Sequence, residues 1–340
     1  MPNFSPGVTG TDEVLFRRHG AVGQVRLNRP KAINSLSVAM VTAIEQQLLA
    51  WADDDRVRSV FIDGAGDRGL CAGGDVRAVR EEVLATGSPG PFFETEYRMN
   101  LLISDHPKPV VSAMHGITMG GGIGLGGHAG LRLVTETSQL AMPETVIGFF
   151  PDVGARRLLA RAPGEYGTWL ALTGSAIDGP DAITLGLADT LVREGGLGEI
   201  VDDLANEVPV GEDVGNPAPR ASLRAHRGWI DECFAGDDAE QICLRLAEHA
   251  DPAAREAART IRERSPFAVA VTLAALRKAE RAESLAEILA DDLTIATAMT
   301  THPDFAEGVR AQLVDKDRNP RWADASLAEV DPEQVAAVVG

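Results

Sequence analysis

Two acidic residues lie close together near the middle of the chain, and each follows a proline. Glu144 comes after Pro143, and Asp152 comes after Pro151 eight positions later, in a largely apolar stretch. Two neighbouring carboxyl groups can divide the roles of general acid and general base in a hydrolysis, because each shifts the pKa of the other. Spacing alone does not bring them together. Glu144 could be a surface residue near a helix start, and Asp152 a helix cap before Val153.

Two glycine-containing segments could present backbone N–H groups to a ligand. They are Cys71-Ala-Gly-Gly-Asp75 and the glycine run at 120–127. Small residues let a backbone approach a ligand closely, and the free N–H groups of a helix start favour an oxyanion. The alternatives are a plain turn for the first and a dinucleotide fingerprint for the second, since Gly122, Gly124 and Gly127 match G-x-G-x-x-G. That fingerprint usually occupies the first βα turn of its fold, whereas several elements precede it here.

Other reactive side chains give weaker signals. Lys31, after Pro30, could pair with a phosphate or be a solvated loop lysine. Cys71 could be a nucleophile, but no histidine completes a recognisable signature near it. His115 and His128 flank the glycine run, where a structural role is the commoner one. The three cysteines fit neither a disulfide framework nor a zinc pattern, so no metal site is expected.

Composition narrows the class of protein. Apolar residues make up 44% and charged residues 24% of the 340 residues, which is typical of a globular chain of about two domains. The net charge of −18 argues against nucleic acid or an anionic membrane as the partner. No run of seven apolar residues occurs in the first twenty, and no stretch approaches about 18. These features predict a soluble, reduced, cytoplasmic protein.

The order of predicted elements indicates an α/β fold. Apolar strand-like segments alternate with helix-like ones in the first half; examples are the strands at 57–62, 109–113 and 131–134. A stretch rich in Pro, Gly and Asn at 207–222 then predicts a loop or linker, and helical patterns dominate beyond it. Ser284 and Glu287 form a capping box at the start of one such helix. We therefore expect a core at 1–205 and a helical C-terminal region at 206–340.

The motifs together resemble those of the crotonase (enoyl-CoA hydratase/isomerase) superfamily over about residues 12–195. The segments that carry the resemblance are 28–34, 71–75, 119–127, 142–145 and 149–154. Within the superfamily, residues 115–127 and 141–154 and the tail at 304–322 resemble the 3-hydroxyisobutyryl-CoA hydrolase branch. The resemblance implies a crotonase-like ββα spiral core, with the C-terminal helical region serving as a lid or in oligomerisation. It also implies a homo-oligomer, a trimer or a hexamer, although the hydrolase branch varies.

The resemblance assigns roles to individual residues. The N–H groups of Gly74 and Gly121 match the pair that holds the thioester carbonyl of an acyl-CoA, where preorganised donors stabilise an oxyanion. Glu96 matches a segment on the substrate side. The residues that match CoA-binding positions are Lys31, Ala32 and Ile33 for the nucleotide, and Ala72 and Asp75 for the pantetheine.

The acids distinguish the reactions of this superfamily. Hydratases use two glutamates; here Gly124 stands at the first position and Glu144 at the second, while Asp152 replaces a residue that is generally glycine in hydratases. This pattern implies hydrolysis of a short β-hydroxyacyl-CoA, with 3-hydroxyisobutyryl-CoA of valine catabolism as the expected substrate. Glu144 would attack the thioester or activate a water, and Asp152 would bind the β-hydroxyl or orient the water. CoA is then part of the substrate, and no separate cofactor is expected.

Two alternatives remain open at this point. One is a hydratase or isomerase of the same fold, because isomerases also keep a single acid near Glu144. The other is a non-catalytic acyl-CoA-binding protein, which the presence of both acids disfavours. Fold alone does not fix the chemistry, so the site must decide between them.

Overall fold

The chain forms two compact units, each assembled from separate segments of sequence. The computed structural model describes residues 3–210 and 222–340. The first unit, called the sheet unit below, consists of the described residues of Met1–Gly74, Glu94–Ala141 and Ile177–Ser222. The second, called the helical unit, consists of Asp75–Phe93, Met142–Ala176 and Leu223–Gly340.

This division differs from the single boundary expected between residues 205 and 206. Two segments from the first half, 75–93 and 142–176, fold into the same unit as the C-terminal helices. Aromatic packing shows why: the ring of Phe93 stacks on Phe149 at 5.4 Å, and Phe149 packs against Phe305 at 5.6 Å between centroids. Local periodicity contains no information about such distant partners. Most of the linker predicted at 207–222, residues 211–221, lies outside the described residues.

The described strands all belong to the sheet unit. In chain order they are β1 (Ser5–Pro6), β2 (Val14–His19), β3 (Val22–Leu27), β4 (Ser59–Gly64), β5 (Val110–Met114), β6 (Ile117–Met119), β7 (Leu131–Val134), β8 (Gln139–Ala141), β9 (Ile177–Asp178) and β10 (Thr190–Leu191). The main sheet has the order β1-β2-β3-β4-β5-β7-β10, and a small sheet has the order β6-β8-β9. In the main sheet, β3, β4, β5, β7 and β10 are parallel, and β1 and β2 add an antiparallel edge.

Helices are present in both units. In chain order the α-helices of the described residues are α1 (Val38–Ala52), α2 (Val76–Thr86), α3 (Phe92–Asp105), α4 (Gly121–Gly126), α5 (Ala155–Ala160), α6 (Tyr166–Thr173), α7 (Gly179–Thr184), α8 (Leu197–Ala205), α9 (Arg227–Cys233), α10 (Ala239–Glu248), α11 (Pro252–Arg262), α12 (Pro266–Ala279), α13 (Leu285–Thr301), α14 (Pro303–Val309) and α15 (Pro332–Val339). Within the ranges 3–210 and 222–340, no helix is both long and apolar enough to cross a bilayer.

The predicted α/β class with C-terminal helices is confirmed. The strands expected at 57–62, 109–113 and 131–134 correspond to β4, β5 and β7, with ends that shift by up to two residues. The helix start expected at Ser284 is also confirmed, because its Oγ accepts the Glu287 N–H at 3.1 Å at the beginning of α13.

One apolar cluster fills the space between the main sheet and α8. Phe61, Val111 and Leu133 extend from β4, β5 and β7, and Val201 and Leu204 extend from the helix. Every one of these side chains is buried. Burying an apolar side chain of this size contributes about 1.5–3 kcal/mol, so the cluster fixes the strands whose loops form the site.

A short backbone ladder holds residues 69–74 against β6. Gly69 pairs with Gly116, and Cys71 pairs with Thr118. The Cys71 N–H donates to the Ile117 carbonyl at 3.2 Å. Gly69 has φ +151°, and a Cβ at this position would lie 2.2 Å from the Ile117 nitrogen. Only glycine therefore allows the two backbone segments to approach this closely.

We predict that Gly69→Ala is strongly destabilising, because the added methyl group collides with main-chain atoms that cannot rotate away. The expected loss of unfolding free energy is about 1–3 kcal/mol or more, measured by urea denaturation. Gly10→Ala is the matched control, since Gly10 also has a positive φ, +71°, but nothing lies within 4 Å of its built Cβ. Equal losses in the two variants would show that backbone strain, and not the close approach, sets the cost.

Candidate active site

The two glycines expected to bind a thioester carbonyl lie next to each other in the sheet unit. Gly121 is the first residue of α4, so its N–H has no acceptor within the helix. A Cβ built at Gly121 would lie 3.3 Å from the Gly74 nitrogen. The preceding Gly120 has φ +51°, which turns the chain sharply from β6 into the helix. The backbone thus brings Gly74 and Gly121 together, as an oxyanion-binding pair would require.

Glu96 lies at the same place. It belongs to α3 and is 2% exposed, and its Oε1 is 2.4 Å from the Cβ position of Gly121. The space that a side chain at residue 121 would occupy is therefore taken by this carboxyl group. From the sequence, Glu96 was placed on the substrate side by resemblance alone. In the structure its carboxyl group lies beside Gly121, one of the two glycines.

The rest of the glycine run serves close packing. A Cβ at Gly122 would lie 2.4 Å from the Cys71 carbonyl oxygen, and one at Gly126 would lie 2.6 Å from the Met114 Cγ. Larger residues at these positions would push α4 away from its neighbours in the sheet unit. Of the three glycines that match G-x-G-x-x-G, Gly122 thus has a packing reason that involves no dinucleotide.

The segments expected to contact CoA are joined by a main-chain hydrogen bond. Lys31 and Ala32 lie in a 3-10 turn, Pro30–Ala32, and both are exposed. Ile33 follows at φ +47°, and its carbonyl accepts the Ala72 N–H at 2.9 Å. Ala72 is also exposed. These four predicted residues therefore form one accessible surface of the sheet unit.

A supporting residue in this region was missed by the sequence reasoning. Asn34 is fully buried with φ +55°, and its amide nitrogen donates to the carbonyls of Ala65 and Gly69, each at 3.1 Å. Its Oδ1 accepts the Arg29 N–H at 2.9 Å. Asn34 thus links the predicted CoA turn to the start of the 69–74 segment. The sequence did offer one hint of this role. Segment 28–34 ends in an asparagine, a residue type that adopts the left-handed backbone region more readily than most.

Asp75 begins the next segment of the chain, in the helical unit. Its Oδ1 accepts the Ala78 N–H at 3.4 Å, which makes it the N-cap of α2. The structure gives this residue a capping contact, and the expected contact with pantetheine stays a prediction.

Glu144 is buried in the helical unit. It begins a 3-10 turn, Glu144–Ile147, and is 8% exposed, so the alternative of a surface residue is wrong. The turn ends at Gly148, where φ is +69° and a Cβ would lie 2.4 Å from the Asp304 carbonyl oxygen. Asp304 in turn accepts the Ser265 hydroxyl at 2.6 Å. The C-terminal helix α14 therefore packs directly on the turn that carries Glu144.

Asp152 belongs to the same unit and is 5% exposed. The N-cap residue of α5 is Gly154 and not Asp152, whose backbone carbonyl accepts the Ala155 N–H at 2.9 Å. The Gly154 N–H instead donates to Asp292 Oδ2 at 2.7 Å. Asp292, on α13, was not found from sequence, because nothing local relates it to residues 152–154.

Cys71 is not a suitable nucleophile. The side chain is fully buried, and burial raises the pKa of its thiol to about 12, so the thiolate is scarce at neutral pH. His115 is 4% exposed, with its Nδ1 3.5 Å from Glu194 Oε1. Across residues 3–210 and 222–340, no group of three or more His, Cys, Asp or Glu side chains could hold a metal ion.

Comparison with known proteins shows the family. The family model described as enoyl-CoA hydratase/isomerase matches residues 22–339. The chain belongs to this family. A Homo sapiens member named 3-hydroxyisobutyryl-CoA hydrolase, mitochondrial, is 36% identical, and the alignment covers 98% of this chain and 89% of the human one.

Two solved structures of the family confirm the crotonase-like fold. A carnitinyl-CoA dehydratase from Mycobacterium thermoresistibile is 44% identical with a TM-score of 0.93, and 97% of each chain is covered. An enoyl-CoA hydratase from Rhodobacter sphaeroides 2.4.1 is 41% identical with the same TM-score, covering 96% of this chain and 97% of the other. Membership of an acyl-CoA family agrees with the expected CoA substrate.

The prediction of a cytoplasmic protein is wrong by this comparison. The human relative is named mitochondrial, and so are the relatives from Gallus gallus and Rattus norvegicus. The sequence criteria tested for an apolar secretory segment and a membrane span. Mitochondrial targeting uses amphipathic, Arg-rich segments, to which those criteria do not respond.

We predict that the contribution of Asp292 to stability decreases as the pH rises, which is opposite to the usual behaviour of an aspartate in an ion pair. Burial raises the pKa of Asp292 to about 6, against the opposing effect of Arg156, so the folded chain holds this proton more tightly than the unfolded one. The contribution of Asp292 to the free energy of unfolding should therefore fall as the pH rises from about 4 to about 6. The stability difference, wild type minus Asp292→Asn, should decrease over this range in urea titrations.

Asp54→Asn is the control for this measurement. Hydrogen bonds from Arg56 lower the pKa of Asp54 to about 2, so its contribution is lost as the pH falls below about 4. The stability difference for Asp54→Asn should therefore rise with pH. A rise with pH for Asp292→Asn as well would contradict the assignment.

Proposed function

We propose that this chain is an acyl-CoA thioester hydrolase that converts 3-hydroxyisobutyryl-CoA to 3-hydroxyisobutyrate and CoA, a step of valine catabolism. Relatives that cover nearly the whole chain support this proposal, because those from Homo sapiens and Gallus gallus carry the name of that hydrolase at 36% and 37% identity. The alignments extend through the C-terminal helices, and two of these, α12 and α14, contact the Glu144 turn.

The observation that carries the proposal is the set of acids. Glu144 and Asp152 are both buried, whereas residue 124, where hydratases of the family have their other glutamate, is a glycine inside α4. Hydratases of the family add water to a double bond with two glutamates. This chain has Glu144 for one of them and a glycine, Gly124, in place of the other. Hydrolysis of a thioester needs one group that attacks or activates water and one that orients the hydroxyacyl chain.

In this proposal the thioester carbonyl accepts hydrogen bonds from the N–H groups of Gly74 and Gly121. Preorganised donors stabilise the negative charge that develops on the carbonyl oxygen, and one such donor is typically worth about 3–4 kcal/mol. Glu96, whose carboxyl group lies 2.4 Å from the Cβ position of Gly121, contacts the acyl group on the same side.

Glu144 performs the attack by one of two routes. Its carboxylate either adds to the carbonyl carbon and expels CoA thiolate, leaving a mixed anhydride that water then hydrolyses, or removes a proton from a water that adds directly. In both routes the C–S bond breaks, the thiolate takes up a proton, and the acyl group ends as a carboxylate. Asp152 binds the β-hydroxyl of the substrate or orients the water.

The CoA part of the substrate binds at the exposed surface described above. Lys31 supplies positive charge for a phosphate on a chain whose net charge is −18. Ala32, Ile33, Ala72 and Asp75 line the path of the nucleotide and pantetheine. CoA enters as part of the substrate, so the reaction uses no further cofactor. Assembly as a trimer or hexamer, with residues 206–340 as lid or contact region, belongs to the same proposal.

A second candidate is a hydratase or dehydratase. The two solved structures at 41–44% identity are described as an enoyl-CoA hydratase and a carnitinyl-CoA dehydratase, and both align over nearly the full chain. Either reaction would have to proceed with Glu144 and Asp152 and without a carboxyl group at residue 124.

The two candidates are distinguished by incubating the purified protein with 3-hydroxyisobutyryl-CoA and, separately, with crotonyl-CoA. We expect free thiol to appear with the first substrate, detected with a thiol reagent. With crotonyl-CoA we expect no loss of the enoyl absorbance. Loss of that absorbance without thiol release would establish the hydratase instead, and no change in either sample would leave an isomerase or a binding protein.

We predict that Glu144→Gln removes most thioester hydrolysis but retains acyl-CoA binding. An amide of the same size can neither attack the thioester nor take a proton from water, while the CoA contacts lie elsewhere in the chain. Turnover is followed by thiol release and binding by calorimetry with 3-hydroxyisobutyryl-CoA. Glu81→Gln, an exposed change on α2, is the control and should behave as wild type. Near-normal turnover of Glu144→Gln would exclude the assigned role.

A further inference from the structure

The loop that carries Asp152 has an unfavourable backbone conformation. Val153 has φ +52° and Gly154 has φ +73°, so two consecutive residues lie in the left-handed region. For a β-branched residue such as valine this conformation is a genuine outlier, which persists only when surrounding contacts enforce it. Some group outside the loop must therefore hold residues 152–154 in place.

Asp292 supplies one such contact. Its Oδ2 accepts the Gly154 N–H at 2.7 Å, directly after the strained valine. The side chain of Asp292 is 0% exposed and comes from α13, 138 residues further along the chain. A charge-assisted hydrogen bond of this kind is stronger than a neutral one, and here it is protected from water. The loop is thus fastened to a helix through its main chain.

Arg156 fixes Asp292 in turn. Its Nε donates to Asp292 Oδ1 at 2.7 Å, and its side chain is 1% exposed. The other guanidinium nitrogens donate to the Ala275 carbonyl at 2.8 Å, the Ile288 carbonyl at 3.3 Å and Asp291 Oδ2 at 3.1 Å. A planar guanidinium with this many fixed acceptors has no freedom to rotate, so the carboxylate that it holds is equally fixed.

We infer that Asp292 and Arg156 are positioning residues for Asp152. The pair holds the 152–154 loop in its left-handed turn and so sets the direction of the Asp152 carboxyl group. This inference rests on the proposed function and takes the first of the two roles given there to Asp152, binding of the β-hydroxyl of the substrate. A buried ion pair is in general a poor source of stability, which fits a role in holding geometry.

The test compares two substrates that differ only in the hydroxyl group, 3-hydroxyisobutyryl-CoA and isobutyryl-CoA. The readout is the hydroxyl preference, defined as the ratio of their kcat/KM values measured by thiol release. We expect Asp292→Asn to lower this preference by about tenfold or more, because a small displacement of a substrate-binding group has a large effect on rate. Asp152→Asn should lower it similarly, and the double variant should be no worse than either single one.

Two further variants complete the design. Asp63→Asn is the matched control. Asp63 is also a buried aspartate that accepts a hydrogen bond from an arginine, Arg26, but it lies in the sheet unit. The hydroxyl preference of the Asp63→Asn variant should equal that of wild type. Arg156→Lys keeps the positive charge and removes the fixed geometry, so it should lower the preference in the same direction. It also provides the measurement if Asp292→Asn does not fold.

The outcomes separate the inference from the proposed function. If Asp152→Asn leaves the hydroxyl preference unchanged, the assignment of Asp152 to the β-hydroxyl fails, and the inference fails with it. If Asp152→Asn lowers the preference while Asp292→Asn and Arg156→Lys reduce turnover of both substrates equally, the pair is only structural and the inference is overturned. Strictly multiplicative effects in the double variant would also contradict it.

Discussion

The backbone ladder between residues 69–74 and 116–119 is the constraint on which the sheet unit's part of the site depends. It works because Gly69 and Gly116 have no side chains, so two main chains approach within hydrogen-bond distance. Gly74 and Gly121 follow these paired segments on either side. Their separation is therefore set by main-chain geometry, which is stiffer than any side-chain contact. Donors held in this way need little reorganisation when charge develops on a bound oxygen.

The helical unit positions its acids by a different device. Glu144 sits on a turn that α14 supports through the Gly148–Asp304 approach, and Asp152 sits on a loop fastened to α13 by Asp292. In each case the acid comes near the middle of the chain, and the residue that supports its segment comes more than 130 residues later. Asp304 and Asp292 support these two segments through contacts with main-chain atoms, at Gly148 and Gly154.

Much of this arrangement was predictable from sequence, and the remainder was not for a physical reason. Alternating apolar segments gave the α/β class, and the motifs around Gly74, Gly121 and Glu144 identified the family. Those signals are local, extending over a few residues. Asn34 and Asp292 were missed because a buried polar residue looks like any other polar residue until its partners are known. The division into units was missed for the same reason. Residues 142–176 and α14 are far apart in the sequence, and their packing becomes visible only in the folded structure.

The interleaving of segments in the helical unit has a consequence for how the chain folds during synthesis. A ribosome completes the Glu144 turn long before it makes Asp304 and Phe305, which pack against Gly148 and Phe149. Until then Phe149 can pack against Phe93, which is already made, but not against Phe305, so this aromatic cluster stays incomplete. Such long-range closure is slow and leaves the nascent chain dependent on protection from aggregation. A message cut short before codon 292 would therefore yield a chain that carries both acids but lacks Asp292 and Asp304, the distant residues that support the two segments.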